Sequence, residues 1–155
     1  MTQTLIDLIQ QLSKPGARYR VGVWIVPPQL LGSEADFVAR LPIECDCVNL
    51  RHAALKRLPK GTVDGRYSVN DLLQLVEDIV QQEIRSNCGI LTQVDLFLAQ
   101  FKVPQRDAFW QSVLTMLAHP AHGFIFALPE PLETHPYLSL DRLNQLEAVR
   151  ILARL

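Results

Sequence analysis

Apolar residues along the chain alternate between two periods, one helical and one continuous. Near the start, Leu5, Ile6, Leu8, Ile9 and Leu12 recur at helical spacing, and Lys14-Pro15-Gly16 follows as a stop signal, which predicts a short amphipathic helix over Thr4–Leu12. The unbroken apolar run Arg20–Val26 ends at Pro27-Pro28 and predicts a strand covered on both faces. Ser33, with Glu34 and Asp36 behind it, predicts a capped helix over Glu34–Leu41, ended by Pro42. Cys45–Leu50 reads as a second strand and Arg51–Leu58 as a helical patch. Leu72, Leu73, Val76, Ile79, Val80 and Ile84 then mark a long helix over Asn70–Ile84, with Ser68 as its cap. Gly89–Val94 and Gly123–Leu128 are further strands, with a helix over Arg106–Leu117 between them.

Strands and helices therefore alternate, and the strands are too apolar to leave one face wet. This predicts an α/β fold of three layers, α/β/α, on a mainly parallel sheet of four to five strands. One domain spans residues 1–155, with an N-terminal helix and linker over 1–19. The tail, residues 132–155, reads either as an amphipathic helix through Leu140, Leu143, Leu146 and Val149 or as an edge strand over Ala148–Leu152, and the helix is the expectation.

Composition narrows the class. The 155 residues are 48% hydrophobic and 20% charged, which excludes a disordered or collagen-like chain. A formal net charge of −1 supplies no global field for a polyanion, so nucleic-acid binding would need a local patch. The first twelve residues lack the basic start and apolar stretch of a signal peptide, and no run approaches the roughly 20 apolar residues of a membrane span. Three cysteines without framework spacing fit reduced thiols, so a cytoplasmic location is expected.

In an open parallel sheet ligands bind beyond the carboxyl ends of the strands, which directs attention to the turn after the first strand. Its length matches a phosphate-binding P-loop, G-x-x-x-x-G-K-[ST], but its chemistry does not. Pro27 stands at the first glycine and Gly32 at the second, followed by Ser33 at the lysine and Glu34 at the magnesium-binding hydroxyl, while Pro28 falls among the intervening positions. Proline removes an amide donor, and Glu34 sets a carboxylate against any phosphate. At the end of the third strand, where P-loop enzymes hold magnesium through an aspartate, the position falls on Thr92 or on Asp95 according to register.

Together with Trp24-Ile25-Val26-Pro27-Pro28 … Gly32, the segments Cys47-Val48-Asn49-Leu50 … Lys56-Arg57-Leu58, Leu91-Thr92-Gln93-Val94-Asp95-Leu96-Phe97 and Gly123–Pro129 resemble the small P-loop ATPase-like protein of bacteriophage-exclusion (BREX) defence systems. The resemblance covers most of residues 20–130. It implies a P-loop NTPase-like fold and a bacterial antiphage-defence assembly, with Thr92 at the family's metal-binding aspartate and Asp95 at its acid. With the P-loop degenerate, the expected role is a catalytically inactive binding or scaffold subunit that holds a larger protein partner and needs no cofactor. One alternative is an ATP-binding or ATP-hydrolysing subunit that uses Mg-ATP through Gly32, Ser33 and Asp95. Another is a nucleic-acid adaptor acting through Arg51, Lys56 and Arg57, although no aromatic residues interleave there for base stacking.

Other constellations are weaker. His119-Pro120-Ala121-His122 lies in a proline-broken loop with no second Cys/His pair, and Cys45 and Cys47 lack CxxC spacing, so turn and surface histidines and buried or half-buried thiols are expected. Phe109 and Trp110 read as core.

Overall fold

The computed structural model describes residues 4–14, 21–57, 67–116, 123–129 and 152–153. Five parallel strands form one sheet: β1 (Val21–Val26), β2 (Asp46–Asn49), β3 (Cys88–Thr92), β4 (Gly123–Pro129) and the two-residue β5 (Leu152–Ala153), in the order β2-β3-β4-β1-β5. Among the described residues six α-helices accompany them: α1 (Leu5–Ser13), α2 (Glu34–Ala39), α3 (Leu50–Arg57), α4 (Val69–Gln82), α5 (Val94–Leu98) and α6 (Val103–Met116). Every residue of β1 and β3 is buried, as a sheet covered on both sides requires.

Strand alternation divides the interior into two cores. Val21, Val23 and Ile25 of β1, with Leu91 and Phe126, pack against α3, α4, α5 and α6. Trp24 and Val26, with Cys88, Ile90 and Ile125, pack against α1 and α2. The chain runs from β1 to the far edge at β2 and then returns strand by strand through β3 to β4. Connections running in opposite directions must take opposite faces under the right-handed crossover rule, and the two cores obey it. Chain leaving β1 therefore turns toward one face and chain leaving β3 toward the other. Their carboxyl ends flank an opening.

Local chemistry fixes several boundaries. Thr4 and Asp7 make a reciprocal capping box on α1, and Ser68 and Asp71 make another on α4. Gly123 lets α1 approach the sheet closely: a Cβ there would lie 2.5 Å from the Leu12 carbonyl oxygen. Phe109 and Trp110 are buried and meet Phe126 edge to face, as their core assignment anticipates.

Four sequence expectations need correction. Ser33 occupies the N-cap position of α2, but its side chain makes no capping hydrogen bond, and α2 ends at Ala39 rather than Leu41. The third strand stops at Thr92, because Gln93 turns into the left-handed region (φ 65°) and Val94 opens a helix that the apolar run had hidden. Helix α6 starts at Val103 rather than Arg106, since Pro104 fits a first turn, where its missing N–H costs nothing. In the tail, Leu152–Ala153 pairs with β1 as an edge strand where a helix was expected. The remainder of that tail, like His119 and His122, lies outside the described residues.

Candidate functional site

The turn leaving β1 is short and self-contained. Pro27 precedes a 3-10 turn over Pro28–Leu30, and the Ser33 N–H closes it on the Leu30 carbonyl at 2.9 Å. Gly32 follows at φ +84°, a backbone that only glycine adopts without strain. Its N–H donates to Glu34 Oε1 at 3.1 Å. The amide that a phosphate would need is thus occupied by an anion from the turn itself.

Across the opening, β3 delivers Thr92, 5% exposed, at its last position. Thr92 shares the strand face of Cys88 and Ile90 and so points toward the α2 side of the sheet. Gln93 holds its left-handed conformation without glycine, at a cost of about 1 kcal/mol. That turn brings Asp95 into the first turn of α5, where the helix dipole favours an acid.

Gly32, Glu34, Thr92, Gln93 and Asp95 line one crevice of about 200 Å³. Val26, Ala127 and Leu128 give it an apolar floor, and Leu31 and Leu96 stand at its edge. Burial pushes the Asp95 carboxyl above its ordinary range, a backbone hydrogen bond opposes it, and the nearby Glu34 charge adds a smaller push. Burial also pushes the Cys47 thiol up to about 12, with Cys45 and Glu34 adding to it, so Cys47 is no thiolate nucleophile. Among the described residues no group of three or more His, Cys, Asp or Glu is arranged to hold a metal ion.

No protein-family model matches the chain, and no curated protein is significantly similar to it. The site therefore speaks through its geometry alone. Of the residues singled out in sequence, Gly32, Glu34, Thr92 and Asp95 meet at the crevice; Pro27, Pro28 and Ser33 shape the turn beside it. Arg51, Lys56 and Arg57 stand on α3, away from this lining. Arg57 is already engaged, with Nη2 at 3.3 Å from Glu83 Oε2 and Nη1 donating to the Ala53 carbonyl at 3.1 Å.

A second opening escapes the sequence. Ala54, Leu55, Tyr67, Leu96, Phe97 and Gln100 line a groove of about 220 Å³, with Arg51 at its rim. Tyr67 and Phe97 meet edge to face, with centroids 5.1 Å apart. Leu96 borders both the groove and the crevice. Among the described residues the large exposed apolar ones are Leu31, Leu55, Leu96 and Val103, and three of these four border the two openings. Such clustering, rather than single exposed leucines, is the mark of a contact surface. No described helix is long and apolar enough to cross a membrane.

Proposed function

We propose that this chain is a catalytically inactive binding subunit of P-loop-like architecture that holds a larger protein partner. The observation that carries the reading is the Gly32 amide bonded to Glu34 at the mouth of a crevice whose charged lining is acidic. A triphosphate entering there would meet two carboxylates and no lysine. Repulsion replaces the cation and the hydroxyl on which phosphate and magnesium binding depend. The fold supports the P-loop-like part of the proposal, because a parallel sheet brings the turn after β1 and the end of β3 to one crevice.

Binding rather than chemistry follows from the lining. Leu31, Leu55 and Leu96 offer apolar contact area around both openings, which favours a binding surface. The resemblance to the BREX protein sets the proposal in a bacterial antiphage-defence complex, in the cytoplasm, with a companion subunit doing the chemistry.

Calorimetric titration with Mg-ATP tests the reading. The folded protein is expected to give no saturable heat. Micromolar binding abolished by Gly32→Val would move the assignment to the nucleotide-binding alternative. Retention on DNA that weakens with salt and is lost when Arg51, Lys56 and Arg57 become glutamate would move it to the nucleic-acid adaptor.

A further inference from the structure

The groove beside α3 differs from the crevice in charge. Arg51 and Leu55 stand four residues apart on α3, share a helix face, and both line the groove. Tyr67, Leu96, Phe97 and Gln100 line it with them, so a largely apolar wall carries one cation and, among the described residues, no acid. That cation is uncommitted: the one ion pair among the described residues joins Arg57 to Glu83, and Arg51 takes no part in it. Helix α3 reinforces the sign, because Leu50–Arg57 holds Arg51, Lys56 and Arg57 and no Asp or Glu. An anion beside an apolar group complements this surface.

We infer that the groove receives an acidic segment of the partner protein, which seats one bulky apolar side chain against Tyr67, Leu96 and Phe97 and sets a neighbouring carboxylate on Arg51. The inference deepens the partner-binding reading above and rests on it. Size decides against a free small molecule: about 220 Å³ falls below the roughly 300–1,000 Å³ of ligand pockets and suits a single anchor side chain. The lining decides against nucleic acid, which needs several cations free to meet successive phosphates, whereas Arg57 is bound to Glu83 and most of the groove is apolar. Leu55 is 44% and Leu96 41% exposed, and both are covered when the anchor enters. Guanidinium suits the acid, since its planar fork addresses both oxygens of a carboxylate, and the Gln100 amide stands in the same lining to hydrogen-bond a peptide group.

The probes are the blocked tripeptides acetyl-Glu-Phe-Glu-amide, acetyl-Gln-Phe-Gln-amide and acetyl-Glu-Ala-Glu-amide, each titrated into the intact 15N-labelled protein. Saturable shifts of the Leu55, Leu96, Phe97 and Gln100 amides are expected with the first, at millimolar affinity. Replacing its acids by glutamine, or Arg51→Gln in the protein, should each weaken binding about fivefold, and the two together no more than either alone. Replacing its phenylalanine by alanine should cost at least about tenfold. Arg51 is exposed, so the rest of the variant's spectrum should match the wild type. Equal response to the acidic and neutral probes, unchanged binding by Arg51→Gln, shifts that map elsewhere, or no response overturns the inference. Broadening of these amides with protein concentration alone also overturns it, by giving the groove to a second copy of the chain, and a stronger response to a thymidine decamer gives it to nucleic acid. Mg-ATP is run on the same sample. Shifts of the Gly32 and Gln93 amides by Mg-ATP overturn the function proposed above, whereas silence toward both ATP and peptide overturns this inference alone.

Discussion

Asp46 and Asp95 sit at opposite ends of the sheet and answer the same problem in opposite ways. At the amino end, Asp46 opens β2, and its Oδ2 accepts from the Arg85 N–H at 2.7 Å and the Ser86 N–H at 2.8 Å. Ser86 Oγ stands 2.9 Å from the same oxygen and 2.8 Å from the Cys88 carbonyl, and accepts from the Asp46 N–H. Burial raises the Asp46 carboxyl, but these donors and the nearby Arg85 charge outweigh it and leave the group below its ordinary 3.8. At the carboxyl end Asp95 is raised, because burial and Glu34 act on it with one backbone hydrogen bond in opposition. One acid is satisfied from within the fold; the other lines the crevice with one backbone hydrogen bond to oppose its burial.

The largest way to break this contrast is at the satisfied end. Asp46→Ala removes the acceptor of two backbone N–H groups and is expected to cost about 2 kcal/mol, read as a lower urea midpoint at unchanged slope. A loss near zero would mean that water replaces the carboxylate and that Asp46 is not structural.

Next in size is the turn. Gly32→Val forces a β-branched residue to φ +84°, although a Cβ there meets nothing within 4 Å, so the cost is purely conformational at about 1–2 kcal/mol. Chemical denaturation checks it, and an unchanged midpoint would show that the turn relaxes to another backbone.

Smaller still, Asp95→Asn is expected to leave stability unchanged or raise it by a few tenths of a kcal/mol at neutral pH, since it deletes a partly buried charge. A loss comparable to that of Asp46→Ala would make the two acids alike and remove the distinction. Their pH dependence sharpens it further. Asp46 is depressed, so its stabilisation is fully present above 3.8 and is lost as pH falls through its folded value. Asp95 is raised, so the folded state holds its proton longer and stability declines as pH rises above 3.8 toward that folded value. Urea midpoints of wild type, Asp46→Asn and Asp95→Asn across the acid range should therefore diverge in opposite senses.

Much of the fold was legible because it rests on local chemistry. The stripes of α1 and α4 carry their own capping boxes, and β1 and β4 are continuous apolar runs. Helix α5 was not legible: Val94-Asp95-Leu96-Phe97 reads as extended chain until the left-handed turn at Gln93, which the fold imposes and no glycine announces. The tail strand depends on pairing with β1, a long-range contact that periodicity does not carry. At the site, Gly32 and Glu34 were readable from the failed P-loop spacing. The place of Thr92 and Asp95 hung on where β3 stops, and the structure puts both at the crevice, one on the strand and one on the helix. The exposed position of Leu96 left no trace in sequence, since it lies in an apolar stretch that reads as core.

Glu34 holds the Gly32 amide on the turn after β1, where a P-loop would hold phosphate. A crystal structure of the protein grown with a non-hydrolysable ATP analogue and magnesium tests it most directly. The expected result is no nucleotide density in the crevice and the Gly32 N–H still bonded to Glu34 Oε1 near 3.1 Å. Phosphates resting on the amides around Gly32, with Glu34 swung away, would contradict it.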